Sequence, residues 1–199
     1  MPTAAPDSTL ETRRRGARVY VRPPRGSDAG AFAAAVAAGR AFHRPWVQPP
    51  ATPAHFRAYV ARFAGKLSRD PGQATHVGLL VCRVDDDALV GVVNFSEIVR
   101  GGLQSAYMGY YALPPHAGRG YMSEGLALAL AVAFRKLKLH RVEANIQPAN
   151  VRSLALVRRA GFRHEGYSRR YVKIAGRWRD HERWALLAED WRARPAEPS

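Results

Sequence analysis

Apolar residues recur along this chain with two periods, which predict helices and strands in alternation. In residues 120–137 they return every three or four positions, the spacing of a helix with one buried side. In residues 17–22, Val19 and Val21 alternate with polar neighbours, as in a half-buried strand. The same criteria predict strands at residues 75–84, 89–98, 104–113, 141–146, 163–174 and 178–187. This alternation predicts an α/β (α+β) domain.

Turn and capping residues predict two helices between the first strand and the second. Ser27 is expected to cap a helix that runs to about Gly39. Thr52 followed by Pro53 is typical of a helix start. The helical spacing after it is carried by Phe56, Val60, Phe63 and Leu67.

The composition indicates one globular domain. The chain has 199 residues, of which 47% are apolar, enough to build a core. We find no internal repeat and no linker composition inside it. We therefore expect a mobile basic arm at residues 1–16, one domain at residues 17–190 and a tail at residues 191–199.

Cysteine usage and hydropathy indicate a cytoplasmic protein. Cys82 is the single cysteine, which excludes a disulfide framework and favours a reducing compartment. Cys82 lies in an apolar run, so we expect it to fill the core. The first residues lack the apolar core of a signal peptide, and no apolar run is long enough to span a bilayer.

The charge balance is strongly basic, with 31 Lys and Arg against 16 Asp and Glu. A net charge of +15 attracts anionic partners and speeds association with them. The alternative is a general preference for arginine that serves solubility only. The sequence carries no zinc-finger, leucine-zipper or RNA-recognition signature, so the charge alone identifies no nucleic-acid site.

Residues 118–123, Gly-Arg-Gly-Tyr-Met-Ser, connect a predicted strand to a predicted helix. Gly118 and Gly120 let backbone N–H groups approach a phosphate, and the helix N-terminus adds partial positive charge. Arg119 and Ser123 can donate hydrogen bonds to phosphate oxygens. The alternative is that the glycines serve only the tight turn. The spacing matches neither a dinucleotide fingerprint nor a P-loop.

A second motif begins at Asn150 and predicts a short helix that ends at Gly161. Asn150 is a common capping residue, and capping alone would explain it. In the functional alternative, its amide binds the amide groups of a carrier, and the hydroxyl of Ser153 reaches a sulfur atom.

Acid–base candidates are few. Glu143 lies in a predicted strand, where it is either a paired structural carboxylate or a group that accepts a proton in a cleft. Glu165 is a weaker candidate, and Asp180 is expected to form an ion pair with Arg179. The seven histidines show no zinc-motif spacing, so we predict no metal site.

Together, residues 118–123, residues 150–162 and the Glu-Gly-Tyr of residues 165–167 resemble the GNAT superfamily of acetyl-CoA-dependent N-acetyltransferases. Within it, residues 89–96, 99–101 and 176–181 (Gly-Arg-Trp-Arg-Asp-His) are similar to the RimJ branch of ribosomal-protein alanine N-acetyltransferases. The resemblance covers residues 19–187. It implies a single domain with a central, mixed, mostly antiparallel, splayed sheet flanked by helices.

The resemblance implies acetyl-CoA as cosubstrate and no metal. Its pantetheine arm is expected between the strands at residues 104–113 and 141–146. The implied cofactor-binding residues are Tyr110, Tyr111 and Ala112, which pair with pantetheine through the backbone; Gly118, Arg119, Gly120, Tyr121, Met122 and Ser123, whose amides hold the pyrophosphate; and Asn150, which binds pantetheine.

The chain departs from the family pattern at two places. Ala117 and Met122 replace the usual first and last residues of the pyrophosphate loop, where main-chain amides still serve. Val157 stands where many relatives have the tyrosine that acts as general acid. The resemblance then implies Ser153 as the acid toward the leaving thiolate, and Glu143, through a water, as the base.

The acceptor is expected to be an α-amine. Its pKa of about 7.7–8.0 leaves a substantial neutral fraction near pH 7.5, whereas a lysine at about 10.4 needs a stronger base. We expect direct transfer to the N-terminal alanine or serine of a ribosomal protein, by a cytoplasmic monomer or homodimer that contacts ribosome or RNA through its basic surface. The alternatives are a small-molecule amine acetyltransferase, acting on an antibiotic or polyamine, and a non-enzymatic basic ribosome- or RNA-associated factor.

Overall fold

The computed structural model describes residues 14–44, 46–63 and 71–193, which form one eight-stranded sheet with helices on both faces. The strands are β1 (Arg14–Arg15), β2 (Val19–Arg22), β3 (Val77–Arg83), β4 (Leu89–Val99), β5 (Ser105–Ala112), β6 (Arg141–Ile146), β7 (Arg163–Ile174) and β8 (Arg177–Leu187). The helices are α1 (Ala29–Ala38), α2 (Arg40–His43), α3 (Pro53–Phe63), α4 (Tyr121–Ala131), α5 (Val151–Arg159) and α6 (Ala188–Ala193).

The strands lie in the order β1-β2-β3-β4-β5-β6-β8-β7. Neighbouring strands are antiparallel except β5 and β6, which run parallel. A parallel pair needs a long crossover connection, and α4 supplies it between β5 and β6. The prediction of a mixed, mostly antiparallel sheet flanked by helices is confirmed.

Two hydrophobic clusters cover the two faces of the sheet. On one face, Phe32 of α1 and Phe56 of α3 pack against Leu80 of β3. On the other, Leu126 and Leu130 of α4 are at most 1% exposed, and burial of each contributes about 1.5–3 kcal/mol. Because β3 is covered on both faces, it is buried along almost its whole length. Cys82 of β3 lies in this core, as expected.

The predicted capping role of Ser27 is wrong. Ser27 lies inside the 3₁₀ turn Gly26–Asp28, and α1 begins at Ala29 with no side-chain cap. Asp28 fixes this turn instead, because its carboxylate accepts the Arg25 N–H at 2.7 Å and pairs with Arg22 at 2.7 Å. A carboxylate that bonds a charged and a backbone donor at once holds the chain more firmly than a neutral hydroxyl.

The other helix starts and ends agree with the sequence more closely. The Thr52 hydroxyl accepts the N–H of His55 at 3.2 Å at the start of α3, whereas Leu67 lies outside the described residues. The helix predicted to continue to residue 137 changes after Ala131 into the π-helical turn Val132–Lys136. The N–H of Leu137 bonds the carbonyl of Val132 there at 2.9 Å.

The ends of the domain differ from the predicted boundaries. Arg14 and Arg15, placed in the arm, pair with β2. Trp191, placed in the tail, belongs to α6 and packs against Phe134 in a tilted arrangement, with ring centroids 5.3 Å apart. Residues 1–13 and 194–199 lie outside the described residues. In the part of the chain that the structure describes, no helix is both long and apolar enough to cross a membrane.

Candidate functional site

A gap opens in the middle of the sheet where β5 and β6 part. The two strands pair only from Ser105 opposite Arg141 to Tyr107 opposite Glu143. Beyond these positions both strands continue, to Ala112 on β5 and to the end of β6, without pairing to each other. An opening between two strands exposes backbone groups that a strand-like ligand can bind.

The pairing of β5 with β4 decides which backbone groups face the gap. The Leu113 N–H bonds the Val90 carbonyl at 2.7 Å, and alternate residues direct their backbone groups to opposite sides. The groups of Tyr110 and Ala112 therefore face the gap, whereas those of Tyr111 face β4. The Ala112 carbonyl accepts a hydrogen bond from Nε2 of His43 at 2.8 Å.

The turn before α4 has the geometry of an anion cradle. Gly118 and Gly120 have φ values of +81° and +80°, which a side chain disfavours. Gly120 caps α4 with no side-chain hydrogen bond, and the first N–H that returns to its carbonyl is that of Ser123, at 3.0 Å. The N–H groups between them have no helical acceptor. A Cβ on Gly118 would meet no atom within 4 Å, so the space beside the turn is open.

Cationic side chains surround this turn. The Arg18 guanidinium donates from Nη1 to the carbonyl of Arg119 at 3.3 Å and pairs through Nε with Glu124 at 3.2 Å. It also lies over the Tyr121 ring at 5.1 Å, and Arg83 approaches the same ring at 5.7 Å. Cations at a helix N-terminus add to its attraction for phosphate.

Met122, one of the two departures from the family loop, directs its side chain toward the sheet. A Cβ on Gly91 of β4 would lie 2.3 Å from the Met122 sulfur, so the thioether occupies the space that this glycine leaves. Its backbone amide remains part of the turn. The substitution is therefore compatible with an amide cradle.

The start of α5 meets β5 across the gap. Asn150 caps the helix, since its Oδ1 accepts the Ser153 N–H at 3.2 Å. The hydroxyls of Ser153 and Tyr110 lie 2.5 Å apart, where either can be the donor, and the Ser153 carbonyl, 3.2 Å from the phenol oxygen, is a second acceptor for the one Tyr110 proton. Val157 is fully buried and offers no polar group. The structure thus joins Asn150, Ser153 and Tyr110, two of them predicted as binding residues and one as the acid.

The Tyr110 hydroxyl is suited to keep its proton. Burial raises the pKa of Tyr110 far above its ordinary range, and the hydrogen bond with Ser153 offsets only part of this effect. A neutral phenol 2.5 Å from a serine hydroxyl can supply a proton through that serine. The hydroxyl pair is therefore a proton-donating group that faces the gap.

Glu143 is held in an ion-pair network on the opposite face of the sheet. The Arg141 Nε donates to Glu143 at 2.9 Å, and its two terminal nitrogens bond both oxygens of Glu165. This guanidinium lowers the pKa of Glu165. Arg141 bonds Oε1 of Glu143, and a carboxylate has a second oxygen with which to accept a proton from a water.

A cleft of about 290 Å³ lies on the same face as Glu143. Trp46 and Gln48, from the segment after α2, form one wall, and Asn145, Val172 and His181, from three strands, form the other. Asn145 lies two residues beyond the last β5–β6 pair, so the cleft borders the gap. Within the described residues, no group of three His, Cys, Asp or Glu side chains is placed to hold a metal ion.

Sequence reasoning missed three side chains of this region: Arg18, the hydroxyl of Tyr110 and His181. Tyr110 was assigned for its backbone only, and His181 was quoted only as part of a motif. Arg18 and Tyr110 contact partners distant in the chain: Glu124 is 106 residues from Arg18, and Ser153 is 43 residues from Tyr110. The closely spaced aromatic residues of β5 were the one visible signal.

Comparison with known proteins places this geometry in context. The family model described as "Acetyltransferase (GNAT) domain" matches residues 18–163. The chain is 35% identical over 180 residues to the Bacillus subtilis protein named "Probable N-acetyltransferase YjcK", covering 88% of this chain and 97% of that protein. It is 36% identical over 179 residues to the Escherichia coli K12 "[Ribosomal protein uS5]-alanine N-acetyltransferase", covering 87% of this chain and 90% of that protein.

The solved structures include a similar fold with a bound ligand. The "Mycobacterium smegmatis RimJ in complex with CoA-disulfide" superposes with a TM-score of 0.78 at 28% identity. The match covers 86% of this chain and 83% of that chain.

Proposed function

Because the chain belongs to the GNAT family of N-acetyltransferases, we propose that it transfers the acetyl group of acetyl-CoA to the α-amine of a protein that begins with alanine or serine. The observation that carries this proposal is the gap between β5 and β6, with the amide cradle of α4 on one side and the Tyr110–Ser153 hydroxyl pair within it. Transfer is direct, with both substrates bound.

The chain's own residues fit the cosubstrate. The amides of Gly118 through Ser123 hold the pyrophosphate, with Arg119 beside them. Backbone groups of Tyr110 and Ala112 meet the pantetheine arm in the gap. The predicted backbone contact of Tyr111 is wrong, because its groups face β4. The Oδ1 of Asn150 caps α5, so its Nδ2 group is the part of the amide that binds pantetheine.

Ser153 is the proposed acid toward the leaving thiolate. Its hydroxyl lies at the N-terminus of α5, whose partial positive charge stabilises a developing anion. The proton that Ser153 gives up is replaced by that of Tyr110, which lies 2.5 Å away. Positioning of both substrates supplies most of the remaining rate.

The family resemblance implies Glu143, acting through a water, as the base. Arg141 holds the Glu143 carboxylate in an ion pair, and an isosteric substitution of Glu143 tests its role. Glu143→Gln keeps the size of the side chain and removes its capacity to take a proton. A loss of turnover greater than tenfold, with unchanged acetyl-CoA affinity, supports the role; an effect below threefold removes it.

A ribosomal-protein acceptor is supported by the name of the Escherichia coli relative and by the charge of the β7–β8 hairpin. Residues 163–187 carry seven Lys and Arg against three acidic residues, and all seven basic side chains are exposed. Trp178, near the turn of this hairpin, is 59% exposed. Basic and aromatic side chains on one exposed element fit a polyanion such as ribosomal RNA.

Acetylation of a ribosome-bound or RNA-bound target is expected to slow as salt rises, whereas acetylation of a short peptide is not. Counterions screen exposed charges over about 10 Å at 0.1 M salt and weaken a steered encounter. Initial rates at 50 and 300 mM KCl measure the difference. Equal salt dependence for both substrates would assign the charge to solubility alone.

Comparison of N-terminal acetylation across the proteome, in cells with and without the gene, tests the proposed function. We expect one or a few ribosomal proteins beginning with alanine or serine to lose acetylation when the gene is absent. An unchanged N-terminal proteome, with altered acetylation of small amines, would contradict the proposal and leave the family assignment intact.

A further inference from the structure

We propose that His181 and Asn145 form the receiving site for the acceptor's ammonium group and that Nε2 of His181, rather than Glu143, takes its proton. The inference rests on the proposed function only in that the acceptor is an amine. It assigns a proton acceptor that neither the sequence nor the family resemblance identified.

The strand registers place both residues where the sheet has opened. Asn145 pairs with Arg183 across β6 and β8, so His181, two residues from Arg183, lies on the same face as Asn145. The last β5–β6 pair joins Tyr107 to Glu143, two residues before Asn145. His181 and Asn145 therefore border the gap on one face of the sheet, and the Tyr110–Ser153 pair borders it on the other face.

The hydrogen bonding of His181 fixes its tautomer. Its side chain is only 4% exposed, and its Nδ1 lies 3.0 Å from the Arg179 carbonyl. A carbonyl only accepts, so Nδ1 carries the proton and Nε2 carries a lone pair. Since His181 lines the cleft, this arrangement matches that of a histidine held to act as a base.

Asn145 offers a second acceptor in the same cleft. Its Oδ1 is buried and has no hydrogen-bond partner among the described residues. A buried carbonyl oxygen without a donor costs free energy, which a ligand N–H recovers on binding. An ammonium group has three N–H bonds and can satisfy Oδ1 and Nε2 together.

The surroundings favour the neutral form of His181. Burial lowers the pKa of His181, and the hydrogen bond to Arg179 and the charge of Asp180 oppose this only in part. The Asp180 carboxylate is itself bonded by the Tyr167 hydroxyl at 2.5 Å and by the Arg170 N–H at 2.7 Å. The other titratable or charged groups on this face are Tyr107 of β5, Arg141 and Glu143 of β6, Glu165, Tyr171 and Lys173 of β7, and Arg179 and Arg183 of β8; the segment of Trp46, Val47 and Gln48 carries none.

The proton balance of the reaction follows from these positions. The ammonium gives one proton to Nε2 of His181, and the freed lone pair attacks the thioester carbon to form the C–N bond. As the C–S bond breaks, the thiolate takes a proton from the Ser153 hydroxyl, which Tyr110 replaces. The amide nitrogen loses its second proton to restore this pair, and His181 releases its proton to water.

The pH profile of kcat/KM tests the inference directly, with acetyl-CoA and a peptide that begins with alanine. If neutral His181 accepts the proton of a bound ammonium, the wild-type rate falls only below about pH 6.5, the ordinary pKa of histidine, because the folded value is lowered. In His181→Gln only the neutral amine can react. The acidic limb of the kcat/KM profile of this variant therefore moves up to the pKa of the amine, about pH 7.7–8.0. The expected loss is about tenfold at pH 7, since each pH unit below that limb costs tenfold.

Chemical rescue separates a catalytic from a structural role. His181→Ala is expected to regain activity when imidazole is added at pH 7.5, because imidazole supplies the missing base. His164→Ala, an exposed histidine on the same hairpin, is the matched control and should keep the wild-type profile. Asn145→Ala is expected to raise KM for the peptide several-fold with a smaller change in kcat.

Three results would overturn the inference. The pH profile of kcat/KM for His181→Gln could overlay that of the wild type within twofold, or the His181 variants could lose activity equally at every pH without imidazole rescue. The third such result is a wild-type profile whose acidic limb already lies at the pKa of the amine. The measurement of the wild-type limb needs no variant. It therefore decides the question even if both substitutions of His181 unfold the protein, and circular dichroism detects such unfolding. If the wild type acetylates spermidine but no peptide, the proposed acceptor fails, and the same profiles measured with spermidine still decide the role of His181.

Discussion

Gly120→Val is expected to weaken acetyl-CoA binding at least about hundredfold. Gly120 has φ +80° at the N-terminus of α4, and its Cβ position lies 3.4 Å from Nη2 of Arg18, so a valine side chain would stand where the pyrophosphate approaches the amides. A hydrogen bond to a charged group contributes about 1.5–3 kcal/mol, and loss of two such bonds amounts to a hundredfold or more. Titration calorimetry measures the change from a wild-type affinity expected in the micromolar range, about −8 kcal/mol.

Gly176→Val is the matched control for backbone strain. Gly176 has φ +79° in the turn between β7 and β8, and a Cβ there would meet no atom within 4 Å. Both variants should lose about 1–2 kcal/mol of stability, because a side chain disfavours this conformation. Only Gly120→Val should lose affinity. Unchanged binding by folded Gly120→Val would remove the pyrophosphate from this turn.

Ser153→Ala is expected to lower kcat about a hundredfold without a change in acetyl-CoA affinity. The hydroxyl acts on the thiolate, which exists only as the C–S bond breaks, so its loss affects the transition state alone. Acid catalysis contributes about 10²–10⁴-fold, and the lower end applies because a thiol of pKa about 8.5 is a good leaving group. Steady-state kinetics and calorimetry on the same preparation separate the two quantities.

Tyr110→Phe is expected to lower kcat nearly as much, and the double variant should lose no more than the worse single one. Residues that act as one proton-donating unit are non-additive in this way. Because burial raises the pKa of Tyr110 above its ordinary value of about 10, kcat should show no basic limb from this residue below about pH 10. Ser105→Ala, a hydroxyl loss at the other end of β5, is the control. Effects below threefold for Ser153→Ala, Tyr110→Phe and Glu143→Gln together would mean that neither the hydroxyl pair nor Glu143 takes part in proton transfer.

Features set by local sequence were predictable. The strand at residues 141–146 follows from its alternation, and the start and end of α5 follow from Asn150 and Gly161, whose φ is +84°. The glycine turn at Gly118 follows from neighbouring residues only, and its φ of +81° agrees with the predicted tight turn, whereas its use as an anion site stays a prediction. Capping and turn chemistry act over a few residues, so the sequence contains the whole interaction.

Features set by long-range contacts were not predictable. Ser27 failed as a cap because Asp28 is held by Arg22, a contact that depends on how β2 meets the turn. The role proposed for the Tyr110 hydroxyl depends on how far β5 and β6 diverge, which no local pattern encodes. His181 lies in the Trp-Arg-Asp-His segment of the sequence, but the role proposed for it depends on the position of β8 beside β6 and on the carbonyl that Nδ1 meets.

Acetyl transfer to a panel of amines, followed by mass spectrometry, tests the central claim most directly. The panel contains peptides beginning with alanine and serine, the same peptides with a blocked N-terminus and an internal lysine, spermidine and an aminoglycoside, each with acetyl-CoA. We predict one acetyl group on the α-amine of the alanine and serine peptides and none on the blocked ones. Acetylation confined to spermidine, the aminoglycoside or the internal lysine would contradict the account.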